Sequence, residues 1–555
     1  LVRLLQAIHP LALAPEALAG ELDVLDRLDL TPLYEREPEP AYLFKHVITH
    51  EATYYLMPEG QRRPLHRAVA EWYEEAHAAD LAAFYPLLAY HWRHALGDAP
   101  SDPDLIAKTI DYMLQAGAQA ARNNANPEAV RFYQDALALL ARLPATPERD
   151  LRELEILLAQ VGPLVVIRGP AAPVVREVYD RAYALAEAGA ATPSMLPVLY
   201  GLIRFHVGRA EYQEARSLAD HLVRLAESMG DAEQLGGSHY VGVAYTLFNL
   251  GELAAARAAL EQAVRLYDPA RHGHLAFQLG RDPGEGALDL LAILLWVLGY
   301  PDQALDRSAQ ALALARQLNH PTTLGSALGY AAQLRVLRGE AQAALAETET
   351  LLALSAEHAA PVLAVGGALY KARALAALGR TAEGMALFRE GSAIYESTGA
   401  AGTAQILCPL AEICLRAGQI AEGLAAADAG LRVAEDRGER WLEAELYRLR
   451  GELLLAQDTP ASKEALAEAE RCFTEALAVA RRQEAKGWEL RAALSLGRLR
   501  QRQGQPAAAQ ALVAEVYDRF TEGHDTGDLR AARDLLDEPA GTPRGDRSAL
   551  GSCTR

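Results

Sequence analysis

The chain has 555 residues, of which 51% are hydrophobic and only 6% aromatic, and its formal net charge is −19. It is too long for one compact core, and the charge argues against general nucleic-acid affinity, which needs cations to replace phosphate counterions. Much of the apolar fraction is Ala and Leu, both strong helix formers, and Lys is confined to Lys45, Lys108, Lys371, Lys463 and Lys486.

The first hundred residues have no repeat. Residues 1–8 and 15–28 have helical periodicity, with Pro15 suited to a first helical turn. Pro32, Pro38 and Pro40 then break helix around short extended pieces at 33–36 and 41–44, and a longer helix is predicted over 64–76. Two helices, a proline-bounded hairpin and a further helix predict a small winged-helix-like unit. Residues 81–96 read as a helical bridge in which His91, Trp92, Arg93 and His94 form a satisfied junction core. Residues 1–100 are assigned to this N-terminal part.

From there to residue 537 a beat of about forty residues takes over. Turn anchors stand at Gly251, Gly299, Gly339, Gly379, Gly418 and Gly504. A small residue follows each by five positions: Ala256, Ala304, Ala344, Gly384, Gly423 and Ala509. Another precedes each by seven: Ala244, Ala292, Ala332, Ala372, Ala411 and Gly497. Asn124 and Ala210 keep the frame earlier in the chain, and Asp458 keeps it between Gly418 and Gly504. Gly turns cheaply at positive φ, and the flanking small residues let two helices approach closely. The frame is that of a tetratricopeptide-type helical hairpin. The period leaves roughly 17 residues, about 25 Å, per helix. The fold predicted is all-α: a right-handed tetratricopeptide-like solenoid of about ten hairpins over 101–537, behind the winged-helix-like unit. A short helix at 528–536 caps it, and 538–555 read as a disordered tail.

Cys408, Cys414, Cys472 and Cys553 form no CxxC pair and read as buried thiols, not disulfides or zinc ligands. The longest apolar run, 288–298, is broken by Asp289 and is short for a bilayer. With no secretory signal, a cytoplasmic protein without a membrane partner is expected. The chain opens on Leu1 inside a helical pattern, as a fragment of a longer protein would.

Catalytic signatures are missing. The sequence has no GxxxxGK[ST] phosphate loop, no HExxH and no GxSxG, so neither an enzyme nor a cofactor is expected. The beat stretches from 40 to 48 residues between Gly251 and Gly299, where 268–284 form an insertion. Long loops inside compact arrays are often functional. His272, His274, Arg281 and Asp282 are therefore the candidate effector or inter-domain contacts, with Arg281 and Asp282 reaching across the groove. The plainer reading is a flap packed through Phe277 and Leu279. His272 and His274 have no third ligand nearby, so no metal site is expected.

The stretch from Tyr42 to Glu51, with Tyr54, Leu56, Arg62, Arg63, Leu65 and His66, resembles the FKHxxTxExxY…RRxxLH segment that follows the ATPase core in STAND-class signalling ATPases. Many of these are bacterial proteins with an N-terminal adenylate or guanylate cyclase. Three further segments are similar to the tetratricopeptide half of that family: Leu298 to Leu305 (LGYPDQAL), Ala444 to Leu454 (AELYRLRGELL) and Phe520 to Leu529 (FTEGHDTGDL). The insertion from Tyr267 to Gly284 fits as well. The resemblance implies a winged helix and a helical regulatory half, with the phosphate loop and any cyclase upstream of residue 1. It also places His46 at a nucleotide-sensing position, a role that requires an ATPase core. The function expected is a non-catalytic module of a bacterial signal-transduction ATPase or cyclase system that binds a protein or small effector on its concave face. A free-standing scaffold and the C-terminal piece of an ATP-binding cyclase are the alternatives.

Overall fold

The computed structural model describes all residues except 37–39, 98–101, 190–191, 230–237, 359, 398–402, 458–459 and 539–555. Pro38, the turn anchor Asp458, the 100/101 boundary, Cys553 and all but the first residue of the tail lie outside the described residues. The chain divides into two compact units, Leu1–Gln160 and Val161–Arg555.

The first unit opens with α1 (Val2–Ile8) and α2 (Pro15–Arg27), followed by a two-stranded antiparallel hairpin, β1 (Leu33–Glu35) and β2 (Ala41–Tyr42), in which Leu33 pairs with Tyr42. Then come α3 (Val47–Leu56), α4 (Glu59–Ala76), a 3-10 turn (Ala82–Phe84) and α5 (Tyr85–Leu96). Helix α3 has no counterpart in the sequence reading, which left residues 47–56 unassigned. None of its residues is buried, so it offers no apolar stripe against a core. Helix α4 starts five residues before the predicted 64 and carries Pro64 inside it. The unit ends with the hairpin α6 (Pro103–Arg122) and α7 (Asn126–Leu140). Helix α8 (Pro147–Arg168) carries the boundary between the units.

The second unit continues with α9 (Pro173–Ala188), α10 (Thr192–Gly208), α11 (Tyr212–Met229), α12 (Ser238–Asn249) and α13 (Leu253–Leu266). The insertion forms two short helices, α14 (Pro269–His272) and α15 (Leu275–Leu279). There follow α16 (Pro283–Val297), α17 (Pro301–Leu318), α18 (Pro321–Arg338), α19 (Ala341–Glu357), α20 (Pro361–Ala377) and α21 (Thr381–Ser397). The last are α22 (Ala404–Ala417), α23 (Ile420–Arg437), α24 (Glu443–Gln457), α25 (Lys463–Arg482), α26 (Lys486–Arg502), α27 (Pro506–Tyr517) and α28 (Gly527–Asp537). No strand occurs among its described residues.

The unit is a stack of tetratricopeptide-like helical hairpins. Each first helix (α10, α12, α16, α18, α20, α22, α24, α26) pairs with the helix after it. First helices also meet along most of the stack: α16 with α18, α18 with α20, and α22 with α24. The turn anchors explain the close pairing. Gly251, Gly299, Gly339, Gly379, Gly418 and Gly504 take φ between 71° and 88°, and Ala210, like Asn124 of the first unit, also takes positive φ. Ala244, Ala256, Ala304, Ala332, Ala344 and Ala509 are wholly buried between paired helices.

The apolar run at 288–298 is the centre of this unit. All fifteen residues of α16 are buried. Helix α16 packs on α12, α13, α17 and α18 and also meets α26, nearly two hundred residues later in the chain. No helix among the described residues is long and apolar enough to cross a membrane.

Candidate functional site

The α16–α26 contact is one part of a closure that brings the middle of the hairpin stack, around α16 to α18, against its last hairpins. Trp296 and Trp488 meet edge to face, with ring centroids 4.8 Å apart. The Arg491 guanidinium lies over both rings and donates to the Leu337 carbonyl and to Asp528. Glu522 accepts from the amides of Asp302 and Gln303, which are orphan donors in the first turn of α17, and Asp302 accepts in return from the Gly523 amide. Arg440 N–H donates to the Asn249 carbonyl at 2.7 Å. Two segments singled out by their resemblance, 298–305 and 520–529, thus face one another across the closure.

Inside the second unit lies a cavity of about 280 Å³. Its wall comes from the turn after α8 and chiefly from α18, α20, α21 and α22, with the segment leading into α24 and Trp488 of α26. Leu369, Phe388, Ile406, Trp441, Leu442 and Trp488 make it largely apolar, and Gln333, Tyr370, Arg373 and Glu445 add polar groups. The polar groups are mostly engaged with protein. Tyr370 donates to Gln333 at 3.1 Å, Arg373 pairs with Glu412 at 2.8 Å, and Glu445 pairs with Arg448 at 2.7 Å. Burial pushes the Glu412 carboxyl up, but the Arg373 and Arg416 cations outweigh it and hold it down at about 2. Burial pushes the Cys408 thiol in the same wall well above its usual range, which removes it as a thiolate nucleophile. A second cavity of about 220 Å³ abuts the first, sharing Pro170, Val362, Gly366 and Tyr370, and is lined also by Arg204 and Arg281.

The structure brings Arg281 and Asp282 together at the start of α16 and gives both protein partners. Arg281 is paired with Glu285 at 2.8 Å and Asp289 at 2.7 Å, donates to the Tyr245 hydroxyl at 3.0 Å and lies over the Tyr330 ring. Burial, and then the charge of Glu285, push the Asp289 carboxyl well above the usual range. Asp282 caps α16 by accepting from the Glu285 amide and also accepts from the Tyr267 hydroxyl, and burial raises its carboxyl to about 7. His272 is buried, and its Nδ1 accepts from the Asp268 amide at 2.9 Å. His274 is exposed and donates through Nδ1 to the Arg271 carbonyl. Around them the insertion packs as a folded segment: Phe277 stands edge-on to His320 at 4.8 Å, and Arg204 donates to the Leu279 carbonyl at 2.8 Å. Among the described residues, no three His, Cys, Asp or Glu side chains converge as a metal ligand set.

In the first unit His46 is exposed and is the N-cap of α3. The other residues of its motif come together around His66. Phe44 packs on His50, and His50 stacks on Tyr54. Arg62 lies over the Tyr54 ring, and the Tyr54 hydroxyl meets His66 Nε2 at 2.8 Å. His66 Nδ1 lies 2.8 Å from His91 Nδ1, and His94 stacks on His66. Beside them Trp92 donates to Glu74 and Lys108 sits over the Trp92 ring.

A hydrogen bond between two imidazole nitrogens needs one of the rings to be neutral. Burial, with the charges of His94 and Arg62, lowers His66 to about 4, and burial with His66 and His94 lowers His91 to about 4. His94 is also lowered, by burial and then by Arg93 and Arg62. The unfolded chain therefore binds more protons than the folded one between about pH 6.5 and pH 4, so this contribution to stability is present above that window and is lost as pH falls through it. Hydrogen exchange of the α4 and α5 amides, corrected for intrinsic rates, is expected to show protection falling from pH 7 to pH 4.5. His91→Gln should flatten that fall; an equal fall in the variant would remove the histidines as its cause.

No family model matches the chain. It is 23% identical over 481 residues to an uncharacterized protein of Rhizobium meliloti (strain 1021), R02095; the match covers 85% of this chain and 45% of that protein, so the chain spans less than half the length of this relative. Among solved structures it is similar to the APC/C hetero-tetramer Cut9-Hcn1, at 11% identity over 88% of this chain and 91% of that chain, with a TM-score of 0.47. It is also similar to a Rap protein complexed with competence and sporulation factor, at 13% identity over 74% and 99%, with a TM-score of 0.37. A tetratricopeptide repeat protein from Parabacteroides merdae matches at 16% identity over 54% and 97%, with a TM-score of 0.29. At such identities the likeness bears on the fold alone.

Proposed function

We propose that the chain is a non-catalytic, cytoplasmic regulatory module: its second unit binds an effector, and its first unit couples to a bacterial signalling ATPase or cyclase. The observation that carries the reading is the internal cavity, walled by helices drawn from α18 to α26. A cavity whose wall depends on a long-range closure links occupancy to the packing of the whole stack, which is what an effector-responsive element requires.

The coupling half of the proposal is supported by the first unit's surface. Thirteen of the eighteen exposed large hydrophobic side chains described lie in its first 56 residues, with Ile48 75% and Leu56 83% exposed. Such a concentration marks a surface that another domain covers, here an ATPase core, with His46 beside it as the nucleotide-sensing residue. The sequence resemblance, and a relative more than twice as long as the match, point the same way.

Titration of the chain with ATP and magnesium is expected to give no one-site isotherm, because no phosphate loop is present. Binding in the micromolar range would overturn the non-catalytic reading. The coupling reading is checked in the DNA upstream of residue 1, which is expected to encode GxxxxGK[ST] in frame; its absence would leave a scaffold without a nucleotide partner.

A further inference from the structure

We infer that the internal cavity takes a small molecule with an apolar body and a hydrogen-bond-accepting oxygen head, a carbonyl or a carboxylate. The inference rests on the reading of this cavity as the effector site and adds the chemistry of the occupant.

Three observations set that chemistry. The first is size. An α-helix with its side chains is about 10–12 Å across, too thick for cavities of about 280 and 220 Å³. An elongated small molecule lying along Gly366 and Tyr370, which line both cavities, suits this space better than a partner helix.

The second is the state of the charges. Arg373, Arg281 and Glu445, which line the two cavities, are each already paired with an opposite charge, at 2.8 Å or closer. A phosphate placed on Arg373 or Arg281, or a bare cation placed on Glu445, would have to break one of these buried pairs, which is unfavourable. Arg204, the remaining cation lining the second cavity, donates to the Leu279 carbonyl and lies over the Tyr200 ring.

The third is what remains unpaired. Trp441 Nε1 and Arg373 Nε are buried and have no acceptor in the protein. Trp441 is 2% exposed, and the Arg373 side chain 10%. Both residues belong to the wall of the first cavity. Buried donors are almost always satisfied, and both of these orphans are donors. The missing partner is thus an acceptor, and the apolar side chains between Leu369 and Trp488 suit the hydrocarbon attached to it.

The test uses the whole chain and three probes with ten-carbon chains: decanoate, decan-2-one and decyltrimethylammonium, which has no acceptor. Binding is read by tryptophan fluorescence and by isothermal titration. Decanoate and the ketone are expected to bind saturably, and the ammonium at least about tenfold more weakly, the loss expected when hydrogen bonds to buried donors are not made. Trp441→Phe keeps the aromatic bulk and removes the N–H. Arg373→Lys keeps a charge for Glu412 and removes Nε. Each is expected to weaken decanoate about tenfold.

Gly366→Trp is the control for location. A Cβ at Gly366 meets nothing within 4 Å, so a side chain there starts into the open space of both cavities, and binding should disappear while the helical circular dichroism, which checks that the fold is kept, stays. Saturable binding of decanoate alone or of both acceptor probes, abolished by Gly366→Trp, supports the inference, and the relative affinities say whether the head is charged. Equal binding of the ammonium, unchanged binding in Gly366→Trp, or no saturable binding of either acceptor probe overturns it. None of these outcomes bears on the ATPase link, which stands or falls on the upstream phosphate loop.

Discussion

Arg281→Met is expected to destabilise the second unit by about 3–5 kcal/mol, the range for removing one partner of a buried charge cluster. Glu285 and Asp289 are 0% and 1% exposed, and Arg281 is the cation paired with both. Without it, two carboxyls in the first two turns of the fully buried α16 have no compensating charge. Replacing the whole cluster, Arg281→Met with Glu285→Leu and Asp289→Leu, should recover most of the loss, because a well-packed apolar substitute is often as stable as a buried ion network. Urea unfolding followed by tryptophan fluorescence reads both. If the single and triple variants unfold alike, the cluster is not held together by charge. A loss below about 1 kcal/mol, the range of a surface pair, would mean that solvent reaches it. The structure thus gives Arg281, chosen from sequence as an effector contact, a set of protein partners at the edge of the second cavity.

Gly523→Ala is expected to open the closure between α17 and the segment before α28. Gly523 has φ +72°, and an added Cβ would run into the Pro301 ring. Left-handed backbone costs about 1–2 kcal/mol for a residue with a Cβ, and overpacking adds about 1–3 kcal/mol. Hydrogen exchange should rise in peptides covering α27, α28 and the first turn of α17, and remain unchanged in α6 and α7, which lie in the other unit. Glu522→Ala should give a milder version of the same pattern, because it removes the acceptor for two α17 amides and adds no clash. Wild-type exchange in α28 of Gly523→Ala would show that this contact does not hold the closure.

The sequence by itself determined the hairpins. A turn residue that needs positive φ and a small residue that lets helices touch are local requirements, so Gly251 and Ala256, or Gly339 and Ala344, are recognisable from their spacing alone. It also exposed the insertion, because an extra eight residues break a regular beat. Helix α3 was missed because its residues bury nothing described and so carry no stripe. The start of α4 was misplaced because Pro64, normally a first-turn residue, lies inside the helix.

Only the tertiary structure decided which residues meet across the stack and what lies between them. Glu522 and Asp302, Trp296 and Trp488, and Arg491 and Leu337 are separated by 154 or more residues. Their pairing depends on the small rotation added at each hairpin, which accumulates along a solenoid and is encoded in no single repeat. The cavity is a product of the same accumulation. Trp441, in the turn before α24, and Arg373, on α20, carry no signal in the sequence, and their unpaired donors become a binding feature only where the walls converge.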